Sequence, residues 1–310
     1  MDHGPPHGCG TLFMRAAEFQ SFAARSGVRH LRRFLPHLLV PWLSLSACSV
    51  FPGDPAPDPQ VERILGDDRY TWMTLETENT HVHFPAGSFA EAQAGSLPGR
   101  AEGARETVLR RLALSDYDDV LHLFYVDSRE DMANLTGSPV TGYSYFNDHA
   151  AVVVFNEDWR AFELHELTHT VTLGTWADPA GPAVVEGLAT YVDGVCGGYE
   201  NGRIARTFLD RGLLLPLEVL AEEFRQQNDL IAYLQAGTIV EFAVDRGGPE
   251  TIRRLWNQGL GASPDLLGMS SDVFHREFQD WLALKYAPIS DNSLEAIRAG
   301  GCGITPPPAG

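Results

Sequence analysis

An α+β fold is what this sequence predicts: an N-terminal α/β lobe with a small sheet, then a helical lobe. Two observations carry that reading. Strand-like runs at 120–126 and 150–155, rich in valine, leucine and aromatic residues, alternate with helical stretches in the first half. After residue 155 the apolar spacing is helical almost to the end. Strands mixed with helices, then helices alone, is the pattern of segregated α+β architecture.

The elements follow in order. Residues 1–48 read as a signal peptide. Arg25, Arg29, Arg32 and Arg33 precede the apolar run 34–47, which ends at Cys48. About 14 residues broken by Pro36, His37 and Pro41 are too few to span a bilayer, which takes about 20, but they suit the apolar core of an export signal. The long basic region makes Met14 an alternative start. Leu45-Ser46-Ala47-Cys48 is similar to the bacterial lipoprotein signal, in which the cysteine carries the lipid; the alternative is a plain secretory signal. Residues 49–60 hold four prolines between Pro52 and Pro59 and read as an extended tether.

An α/β lobe is expected over 61–160, with a helix at 101–114, a strand at 120–126, a short helix at 129–135 and a strand at 150–155. His81-Val82-His83 sets two imidazoles on one face of a further strand. That strand reads as an exposed edge rather than as a metal pair. His122 and His149 have no partner at ligand spacing and read as structural. The helical lobe, 161–288, carries expected helices at 160–173, 183–193, 202–211, 216–226, 229–245, 249–258 and 271–286, the first closed by Gly174. Residues 289–310, ending in Pro306-Pro307-Pro308, read as a loose tail. Cys196 and Cys302 are the thiols left after processing besides Cys48, and an even pair in an oxidising compartment points to a disulfide; the alternative is two cysteines too far apart.

Charge narrows the partners. The 310 residues carry a formal charge of −18. Without residues 1–48, which hold five Arg and two acids, 18 basic residues face 39 acidic ones, a charge of −21. Such a surface repels phosphate backbones, which argues against nucleic-acid binding.

One motif carries chemistry. His165-Glu166-Leu167-Thr168-His169 lies in the expected 160–173 helix. Residues i and i+4 of a helix sit one above the other, so both imidazoles can reach one Zn²⁺ at about 2.0–2.1 Å. Glu166 is placed to act on water at that metal without ligating it. A catalytic zinc also needs a third protein ligand. Thr172 and Thr175 stand where a further glycine and a third histidine would extend the motif, so the ligand lies elsewhere. Glu186, at the start of the next helix, and Asp178, in the loop between, are the candidates.

The HExxH pentapeptide followed by Glu186-Gly187-Leu188-Ala189-Thr190-Tyr191 resembles the gluzincin metallopeptidases, and among them the bacterial peptidase MA-like domains. The likeness extends to Thr80–Pro85 as a first strand, to 150–155 as the strand before the zinc helix, and to 233–249 as a tyrosine-bearing helix with a Gly-rich turn. It covers roughly residues 70–286. The resemblance implies a zincin-like fold with its zinc site between the lobes and one Zn²⁺ per chain. It gives the metal to His165, His169 and Glu186, the general-base role to Glu166 and oxyanion stabilisation to Tyr233. The acidic residue that thermolysin keeps four positions after its ligand Glu is Thr190 here, and Asp193 is the candidate to orient a histidine instead. The implied function is zinc-dependent hydrolysis of a peptide or protein substrate at the bacterial cell envelope. The rival is a catalytically inactive envelope protein that keeps the fold as a binding scaffold; the intact Glu166 argues against it.

Lipidation at Cys48 is tested directly. The wild-type chain should label with a fatty-acid probe and partition with membranes, and Cys48→Ala should abolish both; equal labelling of the two proteins ends the lipoprotein reading.

Overall fold

The computed structural model describes residues 59–304. The signal peptide and Cys48, most of the 49–60 linker and residues 305–310 lie outside the described residues.

The described chain opens with α1 (Gln60–Leu65), so the last linker residue already belongs to a helix. Strands β1 (Trp72–Glu76) and β2 (Thr80–Pro85) pair antiparallel. Helices α2 (Phe89–Ala92) and α3 (Leu97–Leu112) lead to β3 (Leu121–Val126). Helix α4 (Arg129–Thr136), strand β4 (Gly142–Tyr145) and strand β5 (Ala150–Val154) complete a five-stranded sheet of order β1-β2-β3-β5-β4. Its three central strands are parallel, and the outer two run against them. Every residue of β5 is buried, as expected of an Ala/Val run covered on both faces. Phe124, Val126, Val152 and Val154 meet Ile64, Met132 and Leu135 on one face. From the other face, Val82, Phe84, Leu123 and Tyr125 join a core that continues through the helices to Phe278 and Leu282. The fold is therefore α+β, and the two expected lobes share one core.

The helical part comprises α5 (Glu163–Thr175) and α6 (Pro182–Asp193), then a short hairpin of β6 (Val195–Cys196) and β7 (Tyr199–Glu200). It continues with α7 (Asn201–Asp210), α8 (Leu217–Glu222), α9 (Asp229–Gly247), α10 (Thr251–Gln258), α11 (Ser263–Leu266), α12 (Ser271–Lys285) and α13 (Asp291–Gly300). No helix among the described residues is long and apolar enough to cross a membrane.

Several expectations need correction. The 216–226 helix is two pieces, α8 and a 3₁₀ turn at Phe224–Gln226. Gly174 does not close its helix but lies inside α5, where a Cβ would stand 3.0 Å from the Phe146 carbonyl oxygen. Most of the expected loose tail is ordered. Ser290 caps α13 through the Ser293 amide, Leu294 and Ile297 are buried, and Cys302 forms a disulfide with Cys196. Backbone bonds from Gly197 N–H to the Cys302 carbonyl and from Arg160 N–H to the Gly303 carbonyl, both 2.9 Å, hold the segment down.

The strand bearing His81 and His83 is not an edge, because β1 covers it. His83 is buried beneath Phe124, at 4.4 Å between ring centroids. Its Nδ1 meets Thr74 Oγ1 at 2.9 Å and its Nε2 meets His122 Nδ1 at 3.0 Å. His122 thus has a partner after all, on the neighbouring strand.

Burial, reinforced by the nearby His122 and His81, pushes the His83 pKa down to about 3. Between that value and the ordinary 6.5 the unfolded chain binds the proton and the folded chain does not. Stability should therefore fall as pH drops through this window, by on the order of a few kcal/mol at about 1.4 kcal/mol per pKa unit. Urea unfolding at pH 7 and pH 4 measures it: His83→Leu should have a shallower pH dependence than wild type, and identical slopes would clear His83 of the effect.

Candidate metal centre

His165 and His169 occupy the first two turns of α5, on the side that faces α6. The N-terminal end of α5 is fixed from below. Buried Glu163 accepts hydrogen bonds from Tyr125 Oη, at 3.0 Å, and from the Arg100 guanidinium, which ties α5 to β3 and α3. A buried carboxylate needs such partners, since it loses its hydration shell.

Helix α6 supplies Glu186, and its placement depends on glycine. A Cβ at Gly187 would lie 3.0 Å from the Ala236 Cβ of α9, and one at Gly237 would lie 2.7 Å from the Thr190 methyl of α6. The two helices approach so closely because neither position carries a side chain. Asp193, at the end of α6, does not orient a histidine: the Arg160 guanidinium binds both its oxygens, at 3.1 and 2.6 Å. His169 Nδ1 is buried with no hydrogen-bond partner.

Three donor atoms meet between α5 and α6. His165 Nε2 and His169 Nε2 are 3.1 Å apart, and Glu186 Oε2 lies 3.4 and 3.3 Å from them. A tetrahedral ion bound at about 2.0–2.1 Å sets neighbouring donors about 3.3–3.4 Å apart, so the triangle fits one zinc ion. Among the described residues no other group of three His, Cys, Asp or Glu side chains is gathered in this way. Asp178, the alternative ligand, is exposed and outside the group. Burial disfavours charge on both Glu186 and His165, yet His169 and His165 hold the Glu186 carboxyl well below the usual range. For His165, the bond to Glu186 and the charges of Glu166, Glu186 and Asp193 outweigh burial and raise the imidazole.

Glu166 lies beside the triangle and outside it. Ser144 Oγ donates to the Glu166 side-chain Oε2 at 2.7 Å and approaches its backbone carbonyl at 2.8 Å. At Gly142, on the same edge strand β4, any Cβ would overlap the Glu166 carboxylate. Gly142 and Ser144 went unnoticed in the sequence because the short Gly-Tyr-Ser-Tyr strand has no recognisable apolar alternation.

Tyr233, in the second turn of α9, stacks against His165 with ring centroids 6.4 Å apart. Its hydroxyl accepts a hydrogen bond from Arg225 at 3.0 Å. Burial and the Glu186 charge hold the phenol above its ordinary value, so it remains a proton-bearing donor at neutral pH. A cleft of about 770 Å³ opens beside His165, Glu166 and Tyr233, walled by Trp159, Phe162, Leu230 and Ile231 and by Ile297, Arg298 and Cys302 of the C-terminal segment.

No protein-family model matches the chain, and no curated protein matches it at a significant level.

The close α6–α9 contact is open to test. Gly237→Ala should cost about 1–3 kcal/mol by overpacking and, by moving α6, should weaken zinc binding. Thermal unfolding and chelator competition measure the two effects; unchanged values for both would show that the contact has slack.

Proposed function

We propose that this protein is a zinc-dependent metallopeptidase of the gluzincin kind, acting at the cell envelope with one Zn²⁺ per chain. The observation that carries the reading is the donor triangle of 3.1, 3.3 and 3.4 Å with a glutamate next to it that is not part of it. A purely structural zinc site has no use for that glutamate.

His165 Nε2, His169 Nε2 and Glu186 Oε2 would hold the metal. When bound, zinc supplies a Lewis acid that acidifies water and polarises a carbonyl. Glu166 takes the proton of the attacking water and delivers it to the leaving amine. Ser144 keeps the carboxylate aimed for both transfers. Tyr233 donates its hydroxyl proton to the oxygen that gains charge in the tetrahedral intermediate. Strand β4, which carries Gly142 and Ser144, is an edge of the sheet. An extended peptide can pair along such an edge and so run past Glu166. The Cys196–Cys302 disulfide, together with the export signal expected from the sequence of residues 1–48, supports an oxidising, extracytoplasmic location, where such bonds persist.

Two classes of variant distinguish base from ligand. Glu166→Gln and Gly142→Ala should keep zinc near one equivalent and lower turnover of a peptide library, Glu166→Gln by at least ~10²-fold. His165→Ala, His169→Ala and Glu186→Gln should lose both metal and activity, whereas Asp178→Asn should change neither. Wild-type protein that binds zinc yet is as inert as Glu166→Gln would instead establish the scaffold reading.

A further inference from the structure

Arg225 is not part of the HExxH-and-glutamate pattern, and nothing in the sequence marks it. It sits in the 3₁₀ turn Phe224–Gln226 at the rim of the site, its side chain about half exposed. Yet its guanidinium divides between two functional groups. One terminal nitrogen donates to Glu186 Oε1 at 2.8 Å, and the other donates to Tyr233 Oη at 3.0 Å.

We infer that Arg225 is a positioning residue that sets how Glu186 ligates the metal and where Tyr233 points its proton. The inference rests on the metallopeptidase reading. Its first half follows from the two carboxylate oxygens. Oε2 is nearly equidistant from the two imidazole nitrogens, while Oε1 is held by Arg225. A carboxylate pinned in this way presents a single oxygen to the metal. That leaves coordination space for water and substrate, which a two-oxygen grip would occupy.

The second half follows from the chemistry of the donor. A guanidinium has N–H groups and no acceptor, so in its bond with Arg225 the tyrosine oxygen must accept. The single Tyr233 proton is then directed away from Arg225, and the hydroxyl can donate to a substrate oxygen. The two terminal nitrogens of the planar fork serve the two groups separately, whereas an ammonium would offer all its donors from a single point on a flexible stem.

The full-length protein tests this with Arg225→Met, Arg225→Lys, Tyr233→Phe and the Arg225→Lys/Tyr233→Phe double variant. Chelator competition measures zinc affinity, and hydrolysis of a peptide mixture cleaved by wild type gives kcat and KM. Arg225→Met should weaken zinc at least tenfold. Arg225→Lys, which keeps an N–H donor for Glu186 Oε1, should recover most of that affinity yet lose kcat as Tyr233→Phe does, and the double variant should lose no more than Tyr233→Phe alone. Zinc affinity and kcat unchanged in Arg225→Met, with wild type binding zinc and cleaving peptides, would overturn the assignment to Arg225 alone. A wild-type chain that holds no zinc would overturn the metallopeptidase reading and this inference with it.

Discussion

The narrow gap between α6 and α9 governs the geometry of the site, because it sets where two helices can deliver side chains to a third. Helix α5 carries the histidine pair, α6 carries Glu186 and α9 carries Tyr233. A histidine pair at i and i+4 fixes two donors on one rigid cylinder. The third donor comes from another helix, and its distance depends on packing. Gly187 and Gly237 bring backbone against side chain where larger residues would hold the helices apart. A shift of one ångström there would stretch a 3.3 Å donor separation beyond what a tetrahedral ion spans. The large apolar core under these helices, from Val184 and Leu188 to Ile239 and Phe242, opposes such a shift.

A second regularity runs through the structure. Three of the four buried carboxylates near the site are held by an arginine, Glu163 by Arg100, Asp193 by Arg160 and Glu186 by Arg225, while Glu166 is held by Ser144. Removing water from a carboxylate costs several kcal/mol unless hydrogen bonds replace it, and a planar guanidinium can bind both oxygens or bridge two groups. Arg160 grips both oxygens of Asp193 and also reaches the Val195 carbonyl. With one lysine among 23 basic residues, the chain has little else to use for this purpose. Asp193 is committed to that clamp and is not free to orient His165 or His169.

The gathering of His165, His169 and Glu186 was legible in the sequence because it depends on short spacings. The interval between His165 and His169 is a property of any α-helix, and Glu186 opens a recognisable apolar helix. The central strands were legible for a similar reason, since β3 and β5 are continuous apolar runs. The edges of the sheet were not. In β1, where Met73 and Thr74 are exposed, and in β4, with Gly142-Tyr143-Ser144-Tyr145, polar and aromatic residues replace the apolar alternation, and pairing with a neighbour makes them strands. The placement of His83 next to His122 spans 39 positions and exists only through strand register. Arg225 is remote from the motif in sequence and reaches the site because it sits in the 3₁₀ turn Phe224–Gln226 that follows α8. Helix α13 was missed since its small apolar face, Leu294 and Ile297, finds cover only against α7 and Cys196.

The disulfide joins positions 106 residues apart, and its later half forms a wall of the cleft. During synthesis the ribosome completes all three donor residues and most of the core well before it reaches Cys302. The three donors thus belong to helices that precede the segment walling the cleft beside them. The wall is held by backbone bonds with Gly197 and Arg160 as well as by sulfur, so reduction would loosen one side of the cleft and leave the donors in place.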